Sequence, residues 1–128
     1  MKVTRIYTGD DGRSHFEDLD VPMSETPAGL MSGVVPTDGV FFREPAGEGS
    51  SDFLDFHVAP RRQFVIHLAG RVEIETGGGD KRQFGVGDIL LADDTTGQGH
   101  VSRGVEGPRR QIFVALADSV DLDRWRSS

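Results

Sequence analysis

The stretch Phe56-His57-Val58-Ala59-Pro60-Arg61-Arg62-Gln63-Phe64-Val65-Ile66-His67-Leu68-Ala69-Gly70 decides how this chain folds. Its Pro60-Arg61-Arg62 turn separates two segments rich in aromatic and β-branched residues, so one strand ends near His57 and another begins at Gln63. Side chains alternate along a strand, which sends Gln63, Val65 and His67 to one face and Phe64, Ile66 and Leu68 to the other. The second strand stops at Gly70 and reverses into a hairpin. There Val72, Ile74 and Thr76 alternate with Arg71, Glu73 and Glu75, and a turn at 77–80 leads to the partner strand at 81–85.

Outward from this stretch the same grammar repeats. Strands are predicted at Lys2–Thr8, 14–21, 39–44, 53–58, 88–92, 100–105 and 111–116, with a proline-rich irregular stretch at 22–38. No segment of twelve or more residues has helical periodicity before residue 117. The tail 118–128 reads either as a short helical turn carrying Trp125 or as disordered. Short strands at this spacing point to an all-β sandwich, jelly roll or small barrel. At 128 residues the expectation is a single domain, with N-terminal strands in 1–21, a barrel core over about 39–117 and the tail at 118–128.

The bulk composition excludes several function classes. A net charge of −7 argues against nucleic acid, whose phosphates need a basic face. The absence of cysteine excludes disulfides, thiolate nucleophiles and cysteine-ligated metals. No apolar run approaches a membrane span, and the N-terminus lacks the apolar stretch of a signal peptide, so a cytoplasmic protein with no membrane partner is expected.

A histidine, then a strand ending in the Ile66–Gly70 segment, then a glycine-rich turn, a Gly87-Asp88 corner and a later histidine resemble the cupin superfamily. More narrowly, His57–Gln63 (H-x-x-P-R-R-Q) and Asp94–His100 (D-T-T-G-x-G-H) resemble a group of short bacterial cupins. The resemblance implies a double-stranded β-helix, or jelly-roll barrel, around a small-molecule pocket. It also implies a homodimer. Metal-binding cupins resemble one another in a first motif H-x-H-x(3 or 4)-E and a third histidine further on. Here His57 matches the first histidine, Ala59 stands in place of the second, Gln63 in place of the glutamate, and His100 in place of the third. The ligand set implied is therefore His57, His100 and Gln63, holding one divalent transition metal (Fe, Mn, Ni, Cu or Zn) weakly, or none. A neutral amide attracts a hard cation less than a carboxylate does.

His67 shares a face with Gln63, but four residues of strand separate them by roughly 13 Å, too far to ligate one ion together. It is expected deeper in the barrel, as pocket lining or as a sheet histidine. Arg61 and Arg62 are either solvated turn residues or a clamp for a substrate carboxylate, which suits a guanidinium fork. Asp94 either belongs to an Asx-type turn that positions His100 or touches His100 or the ligand directly. His15 is expected on the surface.

Two function classes follow. One is a small-molecule isomerase, cyclase, lyase or oxygenase in which His57 and His100 hold a metal or act as general acid and base, with Gln63, Arg61, Arg62, His67 and Asp94 binding substrate. The other is a non-catalytic module that binds a small ligand in the same pocket. A dimer with a vestigial cavity is a third possibility.

Overall fold

Among the described residues ten strands form where β-branched and aromatic residues alternate with polar ones, and a 3₁₀ turn follows them. The computed structural model describes residues 1–47 and 52–126. The strands are β1 (Lys2–Thr8), β2 (Ser14–Asp20), β3 (Ser24–Thr26), β4 (Gly29–Met31), β5 (Thr37–Arg43), β6 (Phe53–His57), β7 (Gln63–Thr76), β8 (Lys81–Phe84), β9 (Ile89–Asp93) and β10 (His100–Leu116). The expected all-β class is observed. One curled sheet runs β2-β1-β9-β7-β10-β5, with β6 joined to β10 and β8 to β7, while β3 and β4 form a separate hairpin. That hairpin lies in the stretch read as irregular.

The sequence predicts a strand end at Gly70 and another break around 106–110. Neither occurs. Both β7 and β10 continue through these positions as single long strands that bend together. Gly70 adopts φ +77°, open to glycine at little cost. A Cβ there would lie 2.8 Å from the carbonyl oxygens of both Glu106 and Pro108. Opposite it, the β7–β10 register slips between Gly104 and Gln111, as β-bulges do where a strand turns a corner. Before the bend β7 pairs with β9; after it β7 pairs with β8. The sheet thereby doubles back on itself, and residues from both arms of β7 and β10 line one cavity.

Alternation then sorts the buried residues. One cluster, Val3, Leu19, Val21, Leu91, Leu116, Leu122 and Trp125, packs the outer side of the sheet. The predicted tail supplies its lid: Asp123–Trp125 forms a 3₁₀ turn, and the Trp125 ring stacks on Phe64 at 6.1 Å. The last two residues of that tail lie outside the described residues. The second cluster, including Ala59, Val65, Val72, Ile74, Leu90 and Ala92, faces the inside of the bend. Among the described residues no helix is long and apolar enough to cross a membrane.

Candidate functional site

Inside the bend lies a cavity of about 280 Å³. Its walls are largely apolar, with Val65, Val72, Ile74, Leu90 and Phe113 among them. Into them project three histidines (His57, His67, His100), three arginines (Arg43, Arg61, Arg109), two glutamines (Gln63, Gln111) and Ser102. No carboxylate lines the cavity among the described residues, although the chain carries a net charge of −7. The cavity lining thus collects cations and imidazoles in a chain that is acidic overall.

Each histidine is held in the same way. His57 Nδ1 lies 2.8 Å from the Asp55 carbonyl oxygen, His67 Nδ1 2.9 Å from the Asp88 carbonyl, and His100 Nδ1 2.5 Å from Asp94 Oδ2. A carbonyl can only accept, and an ionised carboxylate likewise, so Nδ1 carries the proton in all three rings. Nε2 is left as the nitrogen available to a ligand. His57 and His100 are direct partners across the β6–β10 ladder, with ring centroids 4.5 Å apart. Gly99 makes this approach possible: at φ +76°, a Cβ there would sit 2.0 Å from the His57 carbonyl oxygen.

Asp94 is 0% exposed and sits immediately after β9. Its Oδ2 accepts from His100 and from the Ser14 hydroxyl at 2.6 Å, while Oδ1 has no hydrogen-bond partner. Of the two readings offered by the sequence, direct contact with His100 is the one observed. Asp94 is not among the residues that line the cavity; it touches the imidazole that faces the ligand space. Ser14 reaches it because β1 pairs antiparallel with β2 and parallel with β9. Two further bonds fasten this loop to the N-terminal hairpin, Thr8 Oγ1 to the Thr96 carbonyl and the Gln98 amide to the Gly12 carbonyl.

Gln63 and Arg61 both line the cavity, and the Arg61 guanidinium lies over the Phe41 ring at 4.8 Å. Arg62 does not. Its Nη1 and Nη2 donate to the Val120 carbonyl, and its Nε stands 3.3 Å from Asp93 Oδ1. Of the two arginines only Arg61 faces the cavity, because consecutive residues leave the turn in opposite directions. His15 is half-exposed against Asp11, as expected for a surface position.

The donor set can be tested against a divalent metal. His57 and His100 offer two imidazole nitrogens and Gln63 a neutral oxygen. Asp94 is committed to His100 and Ser14, and Ala59 is a buried apolar wall. Among the described residues no three His, Cys, Asp or Glu side chains converge. Two neutral nitrogens and an amide do not fit a resident divalent cation well.

Arg43, Asp52, Arg109 and Gln111, like Ser14 and Ser102, were not singled out from the sequence as site residues. Arg109, buried, binds the Asp52 carboxylate through Nε at 2.7 Å and through Nη2. Arg43 Nη1 donates to Gln111 Oε1 at 3.0 Å. The signal was the alternation Arg109, Gln111, Phe113; its parity is opposite to that of His100 and Ser102, because the register shifts between Gly104 and Gln111 move the cavity-facing set by one residue.

No family model matches the chain, and no curated protein matches it. Among solved structures, one from Salmonella typhimurium LT2 assigned as an ethanolamine utilization protein Q aligns over 91% of this chain and 95% of its own. The identity is 14% and the TM-score 0.38.

Proposed function

We propose that the chain is a short cupin whose cavity belongs to a small-molecule enzyme working by general acid–base catalysis. The observation that supports this best is the buried Ser14–Asp94–His100 chain. A carboxyl that fixes an imidazole at Nδ1 orients Nε2 toward the ligand space and stabilises the imidazolium when Nε2 takes a proton. His57, one ring away and held on a backbone carbonyl, is the second proton-transfer group. A pair of this kind can move a proton from one atom of a bound substrate to another, the core step of an isomerase, cyclase or lyase. Gln63 and Arg61 orient the substrate. No step is routed through a metal.

The experiment is proton exchange in deuterated water. The protein is incubated with a panel of small keto acids and β-diketones bearing acidic C–H bonds, and loss of the C–H signal is followed by NMR. Enzyme-dependent exchange is expected for at least one member and should survive chelator treatment. Asp94→Asn should lower its rate by roughly 10²–10⁴-fold. If panel members bind but none exchanges, the non-catalytic binding module is the correct reading.

We also infer a homodimer. β5 ends the main sheet with one edge unpaired among the described residues, and its Val40 and Phe42 are exposed, Phe42 at 77%. An edge of this kind is a ready partner for a second copy of itself. Light scattering should return twice the mass of the chain; a monomer overturns the inference.

A further inference from the structure

The end of the cavity nearest the bend holds polar groups that the acid–base pair does not use. His67 is 2% exposed and stacks on Phe84, with ring centroids 5.8 Å apart. Its Nδ1 is bound to the Asp88 carbonyl, and its Nε2 is buried with no hydrogen-bond partner. Such an orphan acceptor costs stability unless something satisfies it. Gln111, its direct partner across the β7–β10 ladder, has its own oxygen committed to Arg43. Its amide NH₂ is therefore the free end, and turning the amide over would face that NH₂ with a guanidinium.

Charge at this end is unbalanced. Arg109 and Arg43 share a single carboxylate, Asp52, which Arg109 engages through Nε and Nη2 and from which Arg43 Nη2 stands 3.9 Å. Arg109 Nη1 makes no bond among the described residues. Among the described residues the cluster carries one positive charge more than its anion cancels, and no carboxylate of theirs lines the cavity. Burial and the Arg109 charge both hold the His67 pKa below its usual value, so the ring is neutral and Nε2 accepts.

We propose that this end of the cavity binds the hydroxy-acid portion of a compact apolar molecule, the carboxylate taken by Arg109 and Arg43 and the hydroxyl donating to His67 Nε2. Apolar walls suit the body of such a ligand, and one net positive charge suits one carboxylate. A molecule with the carboxylate alone leaves Nε2 orphaned and binds less tightly. This assignment rests on the cavity being a small-molecule site, but not on the acid–base role of His57 and His100.

The test is calorimetric titration of the full chain with benzoate and with 2-, 3- and 4-hydroxybenzoate. At least one hydroxy isomer should bind about tenfold more tightly than benzoate, the worth of one satisfied buried acceptor. His67→Phe should abolish that preference while still binding benzoate, and Arg43→Gln should weaken every member of the panel. His100→Phe should retain the preference, which separates this proposal from the fate of the catalytic reading. The proposal is overturned if no isomer exceeds benzoate, if the preference survives in His67→Phe, or if no probe binds at up to roughly 10 mM.

Discussion

The two buried regions on either side of the curled sheet are built from the same strands but differ in kind. Behind it, Leu91, Leu19, Leu116 and Trp125 form a buried apolar cluster. Inside the bend, neighbours one position along the same strands line an open cavity studded with histidine, arginine and glutamine. In β9, Leu91 belongs to the first region and Leu90 and Ala92 to the second; in β7, Phe64 faces one side and Gln63 and Val65 the other. Period-two geometry thus lets one parity carry stability and the other carry binding. A strand of this protein can change its chemistry without dismantling the solid core behind it.

The sharpest way to break that comparison is to make one substitution at adjacent positions. Leu91→Ala should cost about 3–4 kcal/mol in chemical denaturation, because the void it leaves is enclosed on all sides. Leu90→Ala should cost about 2 kcal/mol, since it only enlarges space that already exists. Equal costs would mean that the cavity face is as closely packed as the core face.

A smaller effect concerns pH. His67 is held neutral in the folded protein, by burial first, then by the Arg109 charge, against the opposing pull of the Asp88 carbonyl. The unfolded chain takes up this proton near pH ~6.5 and the folded chain only at lower pH. Stability should therefore fall as pH drops from about 7 toward 5, and His67→Phe should flatten that part of the profile. An unchanged slope would show that His67 is not what resists protonation.

Smallest of all is Arg62→Gln. Losing its partly exposed contacts with Asp93 and Val120 should cost about 1 kcal/mol or less and leave benzoate affinity unchanged. Arg61→Gln, one residue away, should weaken that affinity with little effect on stability.

The sequence carried most of the fold because alternation is local. The parity of Gln63, Val65 and His67, and the burial of Val72, Ile74 and Thr76, followed from spacing alone. The histidine pair was legible through its flanking segments. What stayed hidden depended on long-range geometry. Gly70 and the stretch 106–110 read as breaks, whereas β7 and β10 bend through them, so Arg109 fell into an apparent loop. Ser14 reaches Asp94 only through two successive strand pairings, and no local pattern announces a contact across eighty residues. Arg61 and Arg62 looked equivalent because the turn that separates them is not encoded in their types.

The bend at Gly70 has a mechanical consequence. Both walls of the cavity are built chiefly on the same pair of strands, creased once, so the pocket resembles the gap in a folded strip more than a hole in a closed shell. Its width is set by the crease. A ligand that grips both walls must therefore stiffen residues 104–110, and slowed amide exchange there should report occupancy from outside the ligand's own footprint.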